Sequence, residues 1–368
     1  MSIAVIIYYI FIASFSIQVF YWIGFLRLIF HKGSNKGKKN KPISIIVCAW
    51  NELENLKELV PQLLSQEHPS FEVIIVDDRS VDGSYEYLID LRDKHENLKL
   101  VRVDQVPDHM NAKKYAVTLG VKAAANDLVL LTDADCRPQS NQWAMEISRS
   151  FDKESVFVLG YSPYTFNWSL LNIIIQFETL LTGIHYMSAA LWGSPYMAVG
   201  RNLAYRKSFF LENKGFSGFQ GVLGGDDDLF VNRHASGKNT RVCVLPEAIV
   251  ETFPKKSWKS YLIQKKRHLS VGKHYKFGDK LRLGFFTTSQ VSFWICFVIL
   301  AFLTLNPYVI AGGFGCRLVL QSVVMGVGAK KLKTKFPIIL LPFIDLLFAV
   351  YLPAVGIPAL FAKKIKWS

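Results

Sequence analysis

What most constrains this chain is where its uncharged apolar residues fall. Residues 3–26 carry no charge, residues 283–316 carry none, and a polar, mixed-charge middle separates them. A helix needs about 20 apolar residues to cross a bilayer, so the first stretch suffices for one crossing. The second is too long for one at about 1.5 Å per residue, and Asn306-Pro307 breaks it, because proline ends or kinks a helix. The pattern therefore predicts crossings at 285–305 and 308–329, the second carrying Arg317. Residues 336–362 are again apolar, interrupted by Pro342, Pro353 and Pro358 and containing Asp345; they read as a kinked crossing or a re-entrant hairpin. A cleaved leader is the weaker reading of the first stretch, since no basic region opens it and no small-x-small site closes it.

Charge orients these segments. Residues 31–41 contain five lysines, and Lys330, Lys331, Lys333 and Lys335 follow the third apolar segment. Cytoplasmic flanks collect Lys and Arg, so the N-terminus is expected outside and residue 31 onward inside, with anionic lipid attracting the basic run. The net charge of +14 belongs largely to such runs, which argues against a nucleic-acid partner. A 51% hydrophobic content and a mean hydropathy of +0.22 exclude a disordered chain. Cys48, Cys136, Cys243, Cys296 and Cys316 are scattered without a CxxC pair. No zinc site or disulfide framework is indicated, and reduced cytosolic thiols are expected. HExxH, GxSxG and Walker loops do not occur.

The middle alternates β-like and helix-like patterns. Residues 43–48, 71–77, 98–103 and 127–132 are short apolar runs; residues 52–65, 83–95 and 111–125 have helical character. This alternation predicts an α/β domain with a mostly parallel sheet covered on both faces. Ligands of such sheets bind beyond the carboxyl ends of the strands. Those ends carry Ala49-Trp50-Asn51-Glu52, Asp77-Asp78-Arg79-Ser80-Val81-Asp82, and Asp133-Ala134-Asp135. Asp82 reads as a helix cap. Asp133 and Asp135, two carboxylates at i and i+2 after an uncharged run, would repel without a cation between them; such oxygen ligands suit Mg²⁺ or Mn²⁺.

In order, these motifs resemble glycosyltransferase family 2, membrane-anchored enzymes of the GT-A fold, from about residue 42 to about residue 275. Pro42 to Glu52 looks like the opening strand and its "P-x-x-N-E" end, and Val76 to Asp82 looks like "VDDxSxD". Ala112-Lys113-Lys114-Tyr115-Ala116 to Gly120 resembles "GKxxALNxG", with Ala112 and Thr118 departing from it. Gly200-Arg201-Asn202-Leu203-Ala204-Tyr205-Arg206 resembles "G-x-N-x-A-(Y/F)-R". Gly225-Asp226-Asp227-Asp228-Leu229 stands where the family has "GEDxDL" or "GDD", and Gln264-Lys265-Lys266-Arg267-His268 resembles "QxxRW" with histidine for tryptophan. The resemblance implies a GT-A (Rossmann-like) catalytic domain at 42–280, with an interfacial helix near 257–275. An anchor at 1–30, a basic linker at 31–41 and a transmembrane region of two or three helices at 281–368 complete the arrangement.

The resemblance also assigns roles. Ala49, Asn51, Glu52, Asp78, Lys113, Asp133, Asp135, Gln264 and Arg267 would bind the nucleotide sugar, Asp78 at the nucleobase, and Asp133 and Asp135 at the metal. Asp227, or Asp226 in the other register, would be the catalytic base, with Arg267 beside the leaving group. Asn202, Arg206 and His268 would lie on the acceptor side. Displacing a diphosphate needs positive charge at the leaving group, and an acceptor hydroxyl needs a carboxylate to take its proton. These features point to a multi-pass enzyme of the cell membrane with its catalytic domain in the cytoplasm. It would pass sugar from a nucleotide-sugar donor, a UDP-sugar first, to a hydroxyl of a lipid-associated or cell-envelope acceptor, with inversion. A processive polysaccharide synthase is the nearest alternative, and a non-catalytic nucleotide-sugar-binding subunit the alternative from another class.

Overall fold

The structure, a computed structural model, describes residues 2–33, 39–303 and 306–361; residues 34–38 of the basic linker lie outside this range. The chain forms two compact units, an α/β unit of residues 32–165 and 189–254, and a helical unit of residues 1–31, 166–188 and 255–368.

Among the described residues, nine strands run through the α/β unit: β1 (Ile43–Ala49), β2 (Phe71–Asp78), β3 (Leu98–Val103), β4 (Leu128–Asp133), β5 (Cys136–Pro138), β6 (Phe157–Leu159), β7 (Leu203–Arg206), β8 (Thr240–Val242) and β9 (Val250–Thr252). Seven of them make one sheet in the order β3-β2-β1-β4-β7-β6-β8, and β5 pairs with β9. The first four strands in that order are mutually parallel, β6 and β8 are parallel to each other, and β7 alone is antiparallel to both its neighbours. The expectation of a mostly parallel sheet holds.

Helices α2 (Leu53–Leu64), α3 (Ser84–Arg92), α4 (Ala112–Ala123) and α5 (Trp143–Arg149) join the parallel strands, and α7 (Lys207–Glu212) and α8 (Asp228–His234) follow β7. The sheet is apolar on both faces because helices cover both. Successive side chains of a strand point to opposite faces. Ile43, Ile45 and Val47 of β1, with Val73, Ile75, Leu128 and Leu130, share a core with Leu56, Leu59 and Leu63 of α2 and Trp143 and Ile147 of α5. Ile46 and Val76 face the other way, onto α4 at Gly120. A Cβ at Gly120 would stand 2.6 Å from Ile46 Cγ2 and 3.0 Å from Val76 Cγ2, so a glycine is what lets α4 lie against the sheet.

The helical unit contains α1 (Ile3–Phe30), most of α6 (Leu170–Leu191), α9 (Trp258–Val271), α10 (Phe277–Leu303), α11 (Pro307–Lys331) and α12 (Leu341–Phe361). Among the described residues, four segments are long and apolar enough to cross a membrane: Ile3–Phe30, Phe277–Leu303, Pro307–Lys331 and Ile338–Pro358. The break at Asn306-Pro307 is present, with Asn306 at φ 48° and Pro307 at the first position of α11, where proline costs no helical hydrogen bond. The last apolar stretch is one helix that continues through Pro353 and Pro358, not a hairpin.

Two charges deep inside these apolar helices pair with each other. Arg317 of α11 and Asp345 of α12 are buried, with Arg317 Nη1 donating to Asp345 Oδ2 at 2.8 Å. Asp345 also accepts from Trp294 Nε1 (2.7 Å) and Gln290 Nε2 (2.8 Å) of α10 and from Gln321 Nε2 (2.8 Å). Gln18 of α1 accepts from Arg317 and donates to Ser289 Oγ at 2.8 Å. One network thus ties α1, α10, α11 and α12. A buried ion pair is tolerated in an apolar bundle when every member finds partners, and removing one partner strands the other charge. Asp345→Leu should therefore lower stability by about 3 kcal/mol, and adding Arg317→Met should recover much of that loss. Thermal unfolding of the detergent-solubilised variants checks this; a double variant as damaged as the sum of the singles would refute it.

Candidate active site

The register of the parallel strands assembles the site. Cys48 on β1 is level with Val76 on β2 and with Asp133 on β4, so the strands end together. By strand alternation, Asp78 and Asp133 fall on the face covered by α4 and Asp77 falls on the other. Asp77 is fully buried, and burial raises its carboxyl above the ordinary range.

The loops beyond the strands are held by their own side chains. Asn51 adopts φ 55°; its N–H donates to Ser80 Oγ at 2.9 Å and its Oδ1 accepts from Val81 N at 2.8 Å. Glu52 accepts from Asn55 Nδ2 at 2.6 Å, and Ala49 is buried at the end of β1. Asp82 caps two helices, accepting from Leu53 N (3.0 Å) and from Ser84 N (3.1 Å), as its residue type predicts. Arg79, at φ 61°, donates from Nε to Asp78 Oδ1 at 2.8 Å.

Lys113, in the first turn of α4, is the junction. Its Nζ lies 2.9 Å from Asp133 Oδ1 and 3.6 Å from Asp226 Oδ2. Burial works against the charged form of Lys113, but Asp133 and Asp226 outweigh it and hold its pKa well above the usual lysine value. Cys48, Lys113, Thr132, Asp133, Gly200 and Asp226 line one small cavity of about 10 Å³. Ligand atoms of Asp133, Asp135 and Cys136 lie within 4.8 Å of one another. Burial, then the two carboxylates, push the Cys136 thiol up to about 12; it stays protonated and leaves a pair of hard oxygen donors, which fits Mg²⁺ or Mn²⁺.

The two candidate bases are placed differently. Asp227 is the N-cap of α8, with Oδ1 accepting from Asp228 N at 2.8 Å and Oδ2 from Gly200 N at 2.5 Å. Asp226 is buried and turns its carboxylate to Lys113. Burial, then the charge of Asp226, push Asp227 up to about 6, against the pull of Lys113 and the two N–H groups.

Asp78, Lys113, Asp133, Asp135, Asp226 and Asp227 are thus gathered along one edge of the sheet. Asn202 and Arg206 are not brought to it. Asn202 is fully buried; its Nδ2 donates to Tyr161 O and Ala248 O, both at 2.8 Å, and its Oδ1 accepts from Trp143 Nε1 at 3.1 Å. Arg206 is level with Leu128 because β7 runs antiparallel to β4. It pairs with Asp127 at 2.9 Å, about 17 Å along the strand from Asp133 at about 3.4 Å per residue. Gln264, Arg267 and His268 are carried by α9 of the helical unit, where Gln264 and Arg267 are half-buried and His268 exposed.

Two cations were not singled out from the sequence. Arg201 stacks over the Tyr164 ring at 4.6 Å; burial lowers its pKa, but Tyr164, Cys136, Asp133 and Asp135 together raise it. Lys114 is fully buried and donates to Val222 O and, at 2.5 Å, to Gly224 O. Both occupy variable positions inside motifs, so motif matching passes over them.

A mostly parallel sheet whose carboxyl edge gathers aspartates around one lysine defines a GT-A-type α/β protein. The sequence profile of the family described as glycosyltransferase-like family 2 matches residues 41–270, more than half of the chain, and the chain belongs to that family. It is 27% identical over 103 residues to the glycosyltransferase AglE of Haloferax volcanii, covering 27% of this chain and 32% of that protein. It is 31% identical over 93 residues to a poly-beta-1,6-N-acetyl-D-glucosamine synthase of Staphylococcus epidermidis, covering 25% of this chain and 21% of that protein. The matched parts are thus about a third or less of those relatives' lengths. Among solved structures, the mannosyltransferase PcManGT of Pyrobaculum calidifontis, determined with GDP-Man and Mn²⁺, superposes with a TM-score of 0.66 at 16% identity, covering 99% of this chain and 100% of that one. That likeness establishes the fold.

The raised pKa of Asp227 has a signed consequence. Its folded value of about 6 exceeds the ordinary 3.8, so the folded state holds the extra proton between those values, and ionised Asp227 costs stability above about 6. Asp227→Asn should be more stable relative to wild type at neutral pH, and the difference should shrink as pH falls through about 6. Melting temperatures measured at several pH values test this; a difference independent of pH would contradict it.

Proposed function

We propose that the chain is a membrane-bound, metal-dependent, inverting glycosyltransferase. It transfers a sugar from a nucleotide-sugar donor, a UDP-sugar first, to a hydroxyl of a lipid-associated or cell-envelope acceptor. The observation that carries this reading is the approach of Asp133 and Asp226 to the single ammonium of Lys113 at the strand ends. It places a cation and two roles of carboxylate where a donor diphosphate is expected.

Asp78 receives the nucleobase, with the Asn51–Val81 stitch keeping its loop in place and Ala49 and Glu52 forming the adjoining rim. Asp133 and Asp135 would hold a divalent metal ion, which would supply positive charge for the departing diphosphate. Lys113 supplies a second positive charge from α4. Asp226 takes the proton of the attacking hydroxyl. Its carboxylate faces Lys113, whereas both oxygens of Asp227 already accept backbone N–H groups, which supports Asp226 as base and Asp227 as a carboxylate held by the backbone. One base and one displacement invert the anomeric centre. Asn202 and Arg206 serve the scaffold.

Membrane attachment through the four apolar helices, with the α/β unit cytoplasmic, is supported by Lys331, which donates to the carbonyl of Ile29 at 3.1 Å and to that of His31. This contact puts the basic ends of α1 and α11 at one end of the bundle, as the positive-inside rule requires. The segment shared with a polysaccharide synthase makes processive synthesis the second reading, and product length under limiting donor separates the two.

Two outcomes are expected. Asp135→Ala should abolish metal-dependent transfer and hydrolysis of labelled nucleotide sugar; an active variant would remove the metal site. Asp226→Asn should lower kcat by about 10²- to 10⁴-fold with little change in donor KM. Turnover retained by Asp226→Asn would move the base elsewhere, and binding without turnover in wild type would favour the non-catalytic subunit.

A further inference from the structure

The loop that leads into Asp226 is short of ordinary backbone restraint. Gly218, Gly224 and Gly225 adopt φ 81°, 78° and 73°, and Gly221 lies between them. Glycine makes such turns accessible but leaves the chain with much conformational freedom. A carboxylate that must meet a hydroxyl within hydrogen-bond reach needs that freedom removed.

Two cations remove it from opposite sides in sequence, one before the loop and one after. Lys114 of α4 enters without solvent exposure and donates to Val222 O and Gly224 O. Arg233 of α8 donates from Nη1 to Ser217 O at 3.2 Å and from Nη2 to Gly218 O at 3.1 Å. Both face the same ring: the Lys114 ammonium is 5.7 Å and the Arg233 guanidinium 4.4 Å from the centroid of buried Phe219. The attraction of cations to the ring face adds to the hydrogen bonds. A Cβ at Gly218 would come 2.9 Å from Arg233 Nη1, so that glycine makes room for the guanidinium. Asn111 N donates to Gln220 O at 2.9 Å, fixing the loop's middle to the start of α4.

We propose that Lys114, Phe219 and Arg233 form a two-cation clasp whose work is to position the Asp226–Asp227 pair, which makes Lys114 and Arg233 positioning residues for the transfer reaction. This rests on the assignment of that pair as the proton-accepting group. Lys113 and Lys114 then divide the labour of one helical turn: the first meets the carboxylates, and the second holds the chain that presents them. The arrangement is costly without a ligand role, because burial pulls Lys114 down to about 8 while Asp226 and Asp227 support its charge. The loop and the carboxylates are therefore linked electrostatically as well as by the chain. Neither Lys114 nor Arg233 contacts Asp133 or Asp226 within ion-pair distance among the described residues, so their effect on chemistry passes through the loop.

The test uses the full chain in detergent or nanodiscs. Arg233 is exposed, so Arg233→Met should fold; Lys114→Met is the stronger but riskier variant. In Arg233→Met, amide hydrogen exchange at residues 217–225 should quicken by about tenfold or more while β1, β2 and β4 keep their protection. kcat should fall by about tenfold to a hundredfold, the scale of a misplaced catalytic group, with donor KM little changed, and Arg233→Lys should recover most of both. Unchanged loop exchange in Arg233→Met and Lys114→Met would overturn the clasp. Faster loop exchange with unchanged kcat would overturn its positioning role, and so would a rise in donor KM alone. If wild-type protein transfers no sugar, the functional reading fails separately, and the exchange comparison decides whether the clasp exists.

Discussion

The candidate site depends on one ammonium ion. Asp133 and Asp226 come from a strand end and a glycine-rich loop far apart in sequence, and like charges brought together in a buried place repel. Lys113 lies between them at 2.9 and 3.6 Å and makes their approach tolerable, at the expense of its own desolvation. That balance explains why the lysine's pKa rises in spite of burial. Asp227 has its pKa raised by burial and then by the charge of Asp226, against the pull of Lys113 and of two backbone N–H groups.

The scaffold is arranged to deliver those groups to one edge. Three neighbouring parallel strands ending level place Asp78 and Asp133 on the same face, two strands apart, beside the first turn of α4. Gly120 brings α4 close to the sheet, and the close packing carries Lys113 into the site. Asp82 and Asn51 hold the loops beside these carboxylates through hydrogen bonds to backbone N–H groups.

The helical unit solves a different electrostatic problem with the same means. Arg317 and Asp345 lie in largely apolar segments and pair with each other; Gln18 and Gln321 also meet Arg317, and Gln290, Trp294 and Gln321 also meet Asp345. The network ties four helices together. On α9, Tyr261 and Lys265 both meet Glu178 of α6, at 2.5 and 2.8 Å, so part of the segment expected as an interfacial helix is committed to packing within this unit.

Much was legible from order and period alone. Apolar runs of strand length alternating with helical spacing specify a parallel sheet, the uncharged stretches specify long apolar helices, and the position of Asp133 and Asp135 after a strand specifies which edge carries acid. Local pattern carries this because side-chain periodicity and chain direction are local properties. Three-dimensional pairing decided the rest. Arg206 sits in a motif yet belongs to the far end of the sheet, because β7 reverses direction against β4, and strand direction is a long-range choice. Asn202 sits in the same motif and is consumed by three core hydrogen bonds. Which of Asp226 and Asp227 keeps a carboxylate turned to Lys113 depended on a cap at α8, and the partner that makes Arg317 tolerable depended on a helix 28 residues further on. Residue type states what a side chain can bond to; only the folded chain determines which partners are left for it.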